Sequence, residues 1–215
     1  MIDFPASPII GQQATLANGV TYQWNGTIWV AVGEAPYLGF RRLGRIVTTA
    51  GQATIDFANI PSDINDLKLH FALVPQTTGA AFLVRFFDAA GVIVTTRYFA
   101  GNIMTYHTSP NGSASAIGQS NLSGFCLNYY LGGWLVHNNA AFGIRGSANI
   151  HHIREPAHVK GIDWQCSYFT DGGAYYAFVS GSGFNDTARS ITGVRLLFDV
   201  GTMAAGGAVT LWGSP

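Results

Sequence analysis

Twenty-seven glycines scattered through 215 residues restrict this chain more than any other feature. Their intervals would break most helices longer than about three turns, and apolar spacing of period 3.6 is almost absent. Strands remain. Runs rich in β-branched and aromatic residues, bounded by Gly, Asn, Asp or Pro, cover residues 53–57, 67–74, 82–87, 92–99, 125–131, 141–145, 158–169, 174–180, 191–199 and 208–212. Asp88-Ala89-Ala90-Gly91 is turn material between the third and fourth runs. So many short strands need faces to bury against, which predicts an all-β fold: an antiparallel β-sandwich of jelly-roll-like type. Between Gly193 and Phe198, alternation puts Val194, Leu196 and Phe198 on the core face and turns Arg195 outward or toward a partner.

The first 33 residues read as a separate unit. Pro5 and Pro8 open it, Asn18-Gly19 and Asn25-Gly26 are hairpin turn pairs, and Tyr22, Trp24 and Trp29 supply a small aromatic core. This predicts a β-meander over 1–33, a linker over 34–45 and the sandwich over 46–215. Arg41, Arg42 and Arg45 then lie on a solvated connector, or dock an acidic partner. Residues 109–123, with Asn-Gly and repeated Ser and Gly, hold too little apolar surface to pack alone and read as a long loop suited to binding contacts. No fixed-period repeat interrupts this organisation.

Only 10% of residues are charged, against about 25% in a typical globular chain, so Gly, Ser, Thr, Asn and Ala must cover much of the surface. Eleven basic and eleven acidic residues cancel without forming blocks. That argues against nucleic acid or an anionic membrane as a partner. No apolar run approaches the ~20 residues of a membrane helix, so no membrane insertion is expected. The opening Met-Ile-Asp-Phe-Pro lacks the basic and apolar regions of a secretory signal, which predicts a soluble product of a cytoplasm. Cys126 and Cys166 fall on two different strand runs and are expected to be buried free thiols.

Motifs that carry chemistry are sparse. His151, His152 and His158 form the one cluster with a metal-ligand flavour, but adjacent strand residues point to opposite faces, so no metal is assigned. Glycoside hydrolysis needs two carboxylates about 5 to 10 Å apart, and nothing in the spacing pairs Asp163, Asp171 or Asp186. Serines are abundant, yet none sits in a Gly-x-Ser-x-Gly elbow. Gly181-Ser182-Gly183 reads as a turn after a strand rather than a dinucleotide loop. Asn25, Asn111, Asn121 and Asn185 begin Asn-x-Ser/Thr sequons but receive no glycan without a signal peptide. No catalytic residue, cofactor or enzymatic activity is assigned.

Aromatic residues say more. Tyr130, Trp134, Trp164, Tyr168 and Tyr175 concentrate in the middle and late strands, where neighbours such as Tyr129-Tyr130 must split between faces. An exposed aromatic beside Asn, Asp or Gln makes a sugar platform, and the same residues serve subunit packing.

The residues Asp3-Phe4-Pro5 through Ile10-Gly11, then Asn18 to Thr27 with Tyr22-Gln23-Trp24-Asn25-Gly26 and Trp29-Val30, resemble a short N-terminal module of bacteriophage tail-fibre and other virion proteins. From about Ile46 to Pro215 a second resemblance enters. Thr54-Ile55-Asp56-Phe57, Ile60-Pro61-Ser62-Asp63 and Asp66-Leu67-Lys68-Leu69 are similar to the opening of a widespread phage virion domain, and Ser190 to Leu196 and Val209 to Gly213 to its closing strands. That family usually closes on Leu-Tyr-Gly; Trp212 stands in the aromatic place here. The resemblance implies a jelly-roll-type spike, fibre or decoration protein located on the virion, forming a homo-oligomer, with a trimer favoured. Its implied partners are other virion structural proteins and host surface polysaccharide, with Tyr22, Trp24, Trp29, Arg41 and Arg42 as virion-anchoring residues. A purely architectural decoration protein and a polysaccharide-degrading spike are the alternatives.

Overall fold

Alternation of apolar and small polar residues decides which segments of this chain become strands and which faces they bury. The structure, a computed structural model, describes residues 4–15, 21–32, 39–108, 111–128, 135–138, 143–170, 175–187 and 189–215. The chain divides into two compact units, Met1–Arg41 and Arg42–Pro215.

The first unit is a three-stranded antiparallel sheet of β1 (Gln13–Thr15), β2 (Thr21–Trp24) and β3 (Trp29–Ala31), in that order. Asn25 shapes the turn between β2 and β3: its Oδ1 accepts from the backbone N–H of Thr27 and of Ile28, each at 2.9 Å, and Gly26 takes φ 100°. Phe4 stacks on Trp29 at 4.9 Å and meets Tyr22 edge-on at 5.2 Å, while Trp24 packs on Trp29 at 5.7 Å. Tyr22, Trp24 and Trp29 thus form the aromatic core expected of the meander. Asn18-Gly19 lies outside the described residues.

From β4 (Arg41–Val47), whose first residue is the boundary, the second unit runs through β5 (Thr54–Phe57), β6 (Asp66–Leu73), β7 (Phe82–Asp88), β8 (Tyr98–Thr108) and β9 (Asn111–Leu122). It continues with β10 (Phe125–Cys126), β11 (Ile144–His151), β12 (Lys160–Phe169), β13 (Tyr176–Asn185), β14 (Ile191–Phe198) and β15 (Ala208–Ser214). These make a four-stranded sheet, β10-β7-β14-β5, and an eight-stranded sheet, β4-β15-β6-β11-β12-β13-β8-β9, in a sandwich-like arrangement. Every pairing given for these strands is antiparallel.

The core forms where the inner faces meet. Leu67, Leu69, Phe71 and Leu73 of β6 alternate inward, as do Ile162, Trp164, Cys166 and Tyr168 of β12. They join Phe82, Val84 and Phe86 of β7 and Val194, Leu196 and Phe198 of β14 in one continuous cluster. Arg195 points away from it, forks onto Asp56 at 2.6 and 2.7 Å and lies over Phe87. Burying a side chain of this size is worth about 1.5–3 kcal/mol, and more than thirty such residues share the cluster.

Several sequence expectations change here. Within the expected loop 109–123, residues 111–122 form a strand. β9 runs Asn111–Leu122 along β8, and Ile117 and Leu122 tuck against the core, so two apolar anchors and a ladder suffice where isolated packing would not. Arg41, Arg42 and Arg45 stand on β4, an edge strand of the larger sheet, rather than in a linker. The run 92–99 is irregular until Tyr98, where β8 begins. Gly181-Ser182-Gly183 lies inside β13; the indole of Trp164 and the ring of Phe125 fill the space that a Cβ at Gly181 or Gly183 would need. Cys126 and Cys166 are free and buried, as expected, and burial pushes both thiols well above their ordinary range.

Candidate functional site

Outward-facing residues of β13 are short and polar at mid-strand, Ser180 and Ser182, and aromatic toward its ends, Tyr176, Phe178 and Phe184. β-Register places the two serines in two rows across five adjacent strands. One row is Ser147, Gln165, Ser180, Ile103 and Ala116; the next is Asn149, Asp163, Ser182, Gly101 and Gly118. Four inter-strand gaps of about 4.8 Å make the rows roughly 19 Å long. They floor an open trough of about 840 Å³, and a second hollow of about 500 Å³ shares Gly101, Gly118 and Ser182 with it.

Aromatic groups flank this floor. Phe99 and Phe184 stack at 5.0 Å with planes 16° apart, and Phe184 is 42% exposed. On the other side stand Phe178 and Tyr176, 45% and 46% exposed. Ile103 rises between them at 57% exposure.

Gly101 and Gly118 face each other across β8 and β9, and neither has a positive φ. A Cβ at Gly101 would find one neighbour, the Ile117 carbonyl oxygen at 3.8 Å, and a Cβ at Gly118 would find nothing within 4 Å. Glycine inside a strand weakens it, by up to about 1 kcal/mol relative to alanine. The fold therefore gains nothing from either glycine. What their missing side chains provide is room above the sheet, which is how a strand glycine serves close approach of a ligand or another backbone.

Three histidines and three carboxylates gather at one end of the trough. His151 Nε2 lies 2.9 Å from Asp163 Oδ1, its Nδ1 3.5 Å from Asp66 Oδ1, and Asn149 donates to Asp163 Oδ2 at 2.7 Å. Glu155 receives His152 at 3.3 Å and His158 at 2.6 Å, and the two imidazoles stack at 5.6 Å. Hydrogen bonds from Asn65 and His152, with the nearby His158, hold the Glu155 carboxyl below its ordinary range. The expected split of His151 and His152 to opposite faces fails for a local reason. β11 ends at His151, and His152 turns into the left-handed region at φ 60°. Lys160, fully buried at the start of β12, donates to the backbone carbonyls of Glu155 and His158 and clasps this turn from below. Among the described residues no group of His, Cys, Asp and Glu is arranged to hold a metal ion.

Of the aromatic candidates, Trp164 and Tyr168 are 2% and 0% exposed and so have no face to offer a sugar or a subunit. Strand alternation sends both inward: Trp164 Nε1 donates to the Leu127 carbonyl at 2.9 Å, and the Tyr168 hydroxyl points at Met104 Sδ at 3.8 Å. Tyr175 is half-buried just before β13, its carbonyl accepting from Thr170 N–H. Tyr130 and Trp134 lie outside the described residues. Apart from Asp163, the trough residues were not singled out because nearly all are common Ser, Asn, Gln, Ala or Gly, and only register assembles them. The one signal was glycine inside a strand without a turn.

No family model matches the chain, and no curated protein and no solved structure matches it either.

Proposed function

We propose that this chain is a structural and adhesive component of a bacteriophage or phage-like particle, assembled as a symmetric homo-oligomer, whose larger sheet presents the trough to host-surface polysaccharide. Support for the virion setting comes from the residue runs that resemble phage modules, at 3–30 and in the opening and closing strands of the sandwich. Support for attachment comes from one observation above the rest: two strand glycines, Gly101 and Gly118, keep the floor clear where the fold has no use for them.

The chemistry of the trough suits an uncharged saccharide. Hydroxyls and amides of Ser147, Asn149, Gln165, Ser180 and Ser182 match sugar hydroxyls, and the Phe99–Phe184 pair offers an apolar face to a sugar ring. Asp163 is the one carboxylate lining the trough, and both of its oxygens are engaged, by His151 and Asn149. This suits holding a glycan more than cleaving it.

A glycan array, followed by titration calorimetry on the best hit, tests the reading. Binding that is lost on Gly101→Leu with an unchanged circular dichroism spectrum is the expected result. If no saccharide from any bacterial surface binds, or if the leucine variant binds as the parent does, the attachment reading fails. An architectural role is then the better reading, with Tyr176, Phe178 and Phe184 covered by a neighbouring virion protein.

A further inference from the structure

The trough does not end within the sheet; it runs out over its edge. Gly118 and Ala116, the last residues of the two rows, belong to β9, and no strand lies beyond β9 among the described residues. A floor that opens sideways at a strand edge is incomplete for a ligand longer than the sheet is wide.

Among the described residues β9 is also the least protected long sheet edge in this unit: its one irregularity lies between Gln119 and Leu122, and from Asn111 to Gln119 it runs in unbroken register along β8. Natural edges are blunted by charge, proline, bulges or short length, because an unpaired strand templates another. The opposite edge of the same sheet, β4, carries Arg41, Arg42 and Arg45. In the smaller sheet β10 is two residues long, and β5 is four residues long and carries Asp56. β9 has twelve residues, Asn-Gly-Ser-Ala-Ser-Ala-Ile-Gly-Gln-Ser-Asn-Leu, with no charge and no proline. With eleven basic and eleven acidic residues in the chain, no net charge keeps two copies apart.

We infer that β9 pairs antiparallel with β9 of a second copy about a two-fold axis, joining the two eight-stranded sheets and running their troughs into one continuous channel. An isologous edge contact of this kind is self-complementary, since each β9 presents the other with the same ladder. Small residues at Ala114, Ala116 and Gly118 leave no side chain to obstruct the joint. A single trough spans roughly 19 Å and the joined pair about twice that, so a saccharide too long for one copy gains contacts from both. The channel rests on the trough being the binding surface; the strand pairing does not.

Sedimentation of the full chain without saccharide, together with single-cysteine variants, tests this. The native thiols Cys126 and Cys166 are buried, so the new cysteine is the exposed one. Ala114→Cys, Ala116→Cys, Gly118→Cys and Ser120→Cys each place a thiol on the exposed outer side of β9, and Val47→Cys on β4 is the control. The expected mass is an even multiple of the 22.9 kDa chain. Disulfide-linked dimers should peak at one of the four positions, or at two adjacent ones, because only residues at the axis face their own copies. A monomer at tens of micromolar, a trimer, or cross-linking no greater than at Val47→Cys overturns the pairing. Dimers that bind no saccharide leave the pairing standing and overturn the attachment reading, while monomers that bind a short oligosaccharide do the reverse.

Discussion

Gly101 and Gly181 are neighbours on β8 and β13 that face opposite sides of one sheet, and alanine at each position should act in opposite directions. At Gly181 a Cβ would lie 2.3 Å from Trp164 Cζ2, 2.6 Å from Cε2 and 2.8 Å from the Gly101 carbonyl oxygen. Ordinary carbon contacts are about 3.5–4.0 Å, so the indole must retreat by more than about 1 Å. It has nowhere to go, being 2% exposed and tied through Nε1 to the Leu127 carbonyl. Overpacking of this kind costs about 1–3 kcal/mol. At Gly101 the nearest atom is 3.8 Å away, an ordinary contact. Only the gain from replacing glycine in a strand remains there, about 0.5–1 kcal/mol. Because the backbone gain is common to both substitutions, their difference is the packing cost itself, about 2 kcal/mol. With a urea slope of about 2 kcal/mol/M, the two midpoints should separate by roughly 1 M, Gly101→Ala at or above the parent and Gly181→Ala below it. Equal destabilisation by the two variants would show that Gly101 is structural, and the argument for a cleared trough floor would fall.

Four further outcomes follow from the same geometry. Trp164→Ala should destabilise the sandwich by about 3–5 kcal/mol in urea titrations, since the ring is core; a loss below about 1 kcal/mol would mean that it is not. Asn102 is 4% exposed and both of its amide atoms lack a partner among the described residues, so Asn102→Val should raise the urea midpoint by the equivalent of about 1–3 kcal/mol, whereas a fall would reveal a polar partner. Glu155 and Asp88 both have carboxyls held below their ordinary values, the first chiefly by Asn65 and His152, the second chiefly by the backbone N–H of Val92. Their contribution to stability is therefore full above about pH 4.5 and disappears as pH falls through the lower folded values, and urea midpoints that stay level from pH 5 to pH 3 would contradict it. Cys126 and Cys166 should react with a thiol reagent only after unfolding, and rapid labelling of the native protein would contradict their burial.

Strand identity was legible in the residues because it is local: alternation fixes the two faces of a strand wherever the pattern is strong. The inward set Val194, Leu196 and Phe198 and the outward Arg195 followed from that alone, as did the aromatic packing of Tyr22, Trp24 and Trp29. β9 escaped because its pattern is weak, with Ile117 and Leu122 its only large apolar anchors. Its strand character comes from β8 beside it.

The chain by itself determined an all-β protein, the inner faces of its strongest strands and a front module pinned by aromatics, because short-range alternation and turn chemistry carry that information. Only the tertiary structure decided that residues as distant as Gly101, Gly118, Ser147, Asp163 and Ser180 share one surface, and that Trp164 and Tyr168 turn away from it. Strand order and register bring those positions together, and both are set by long-range pairing energies that no short stretch of sequence contains.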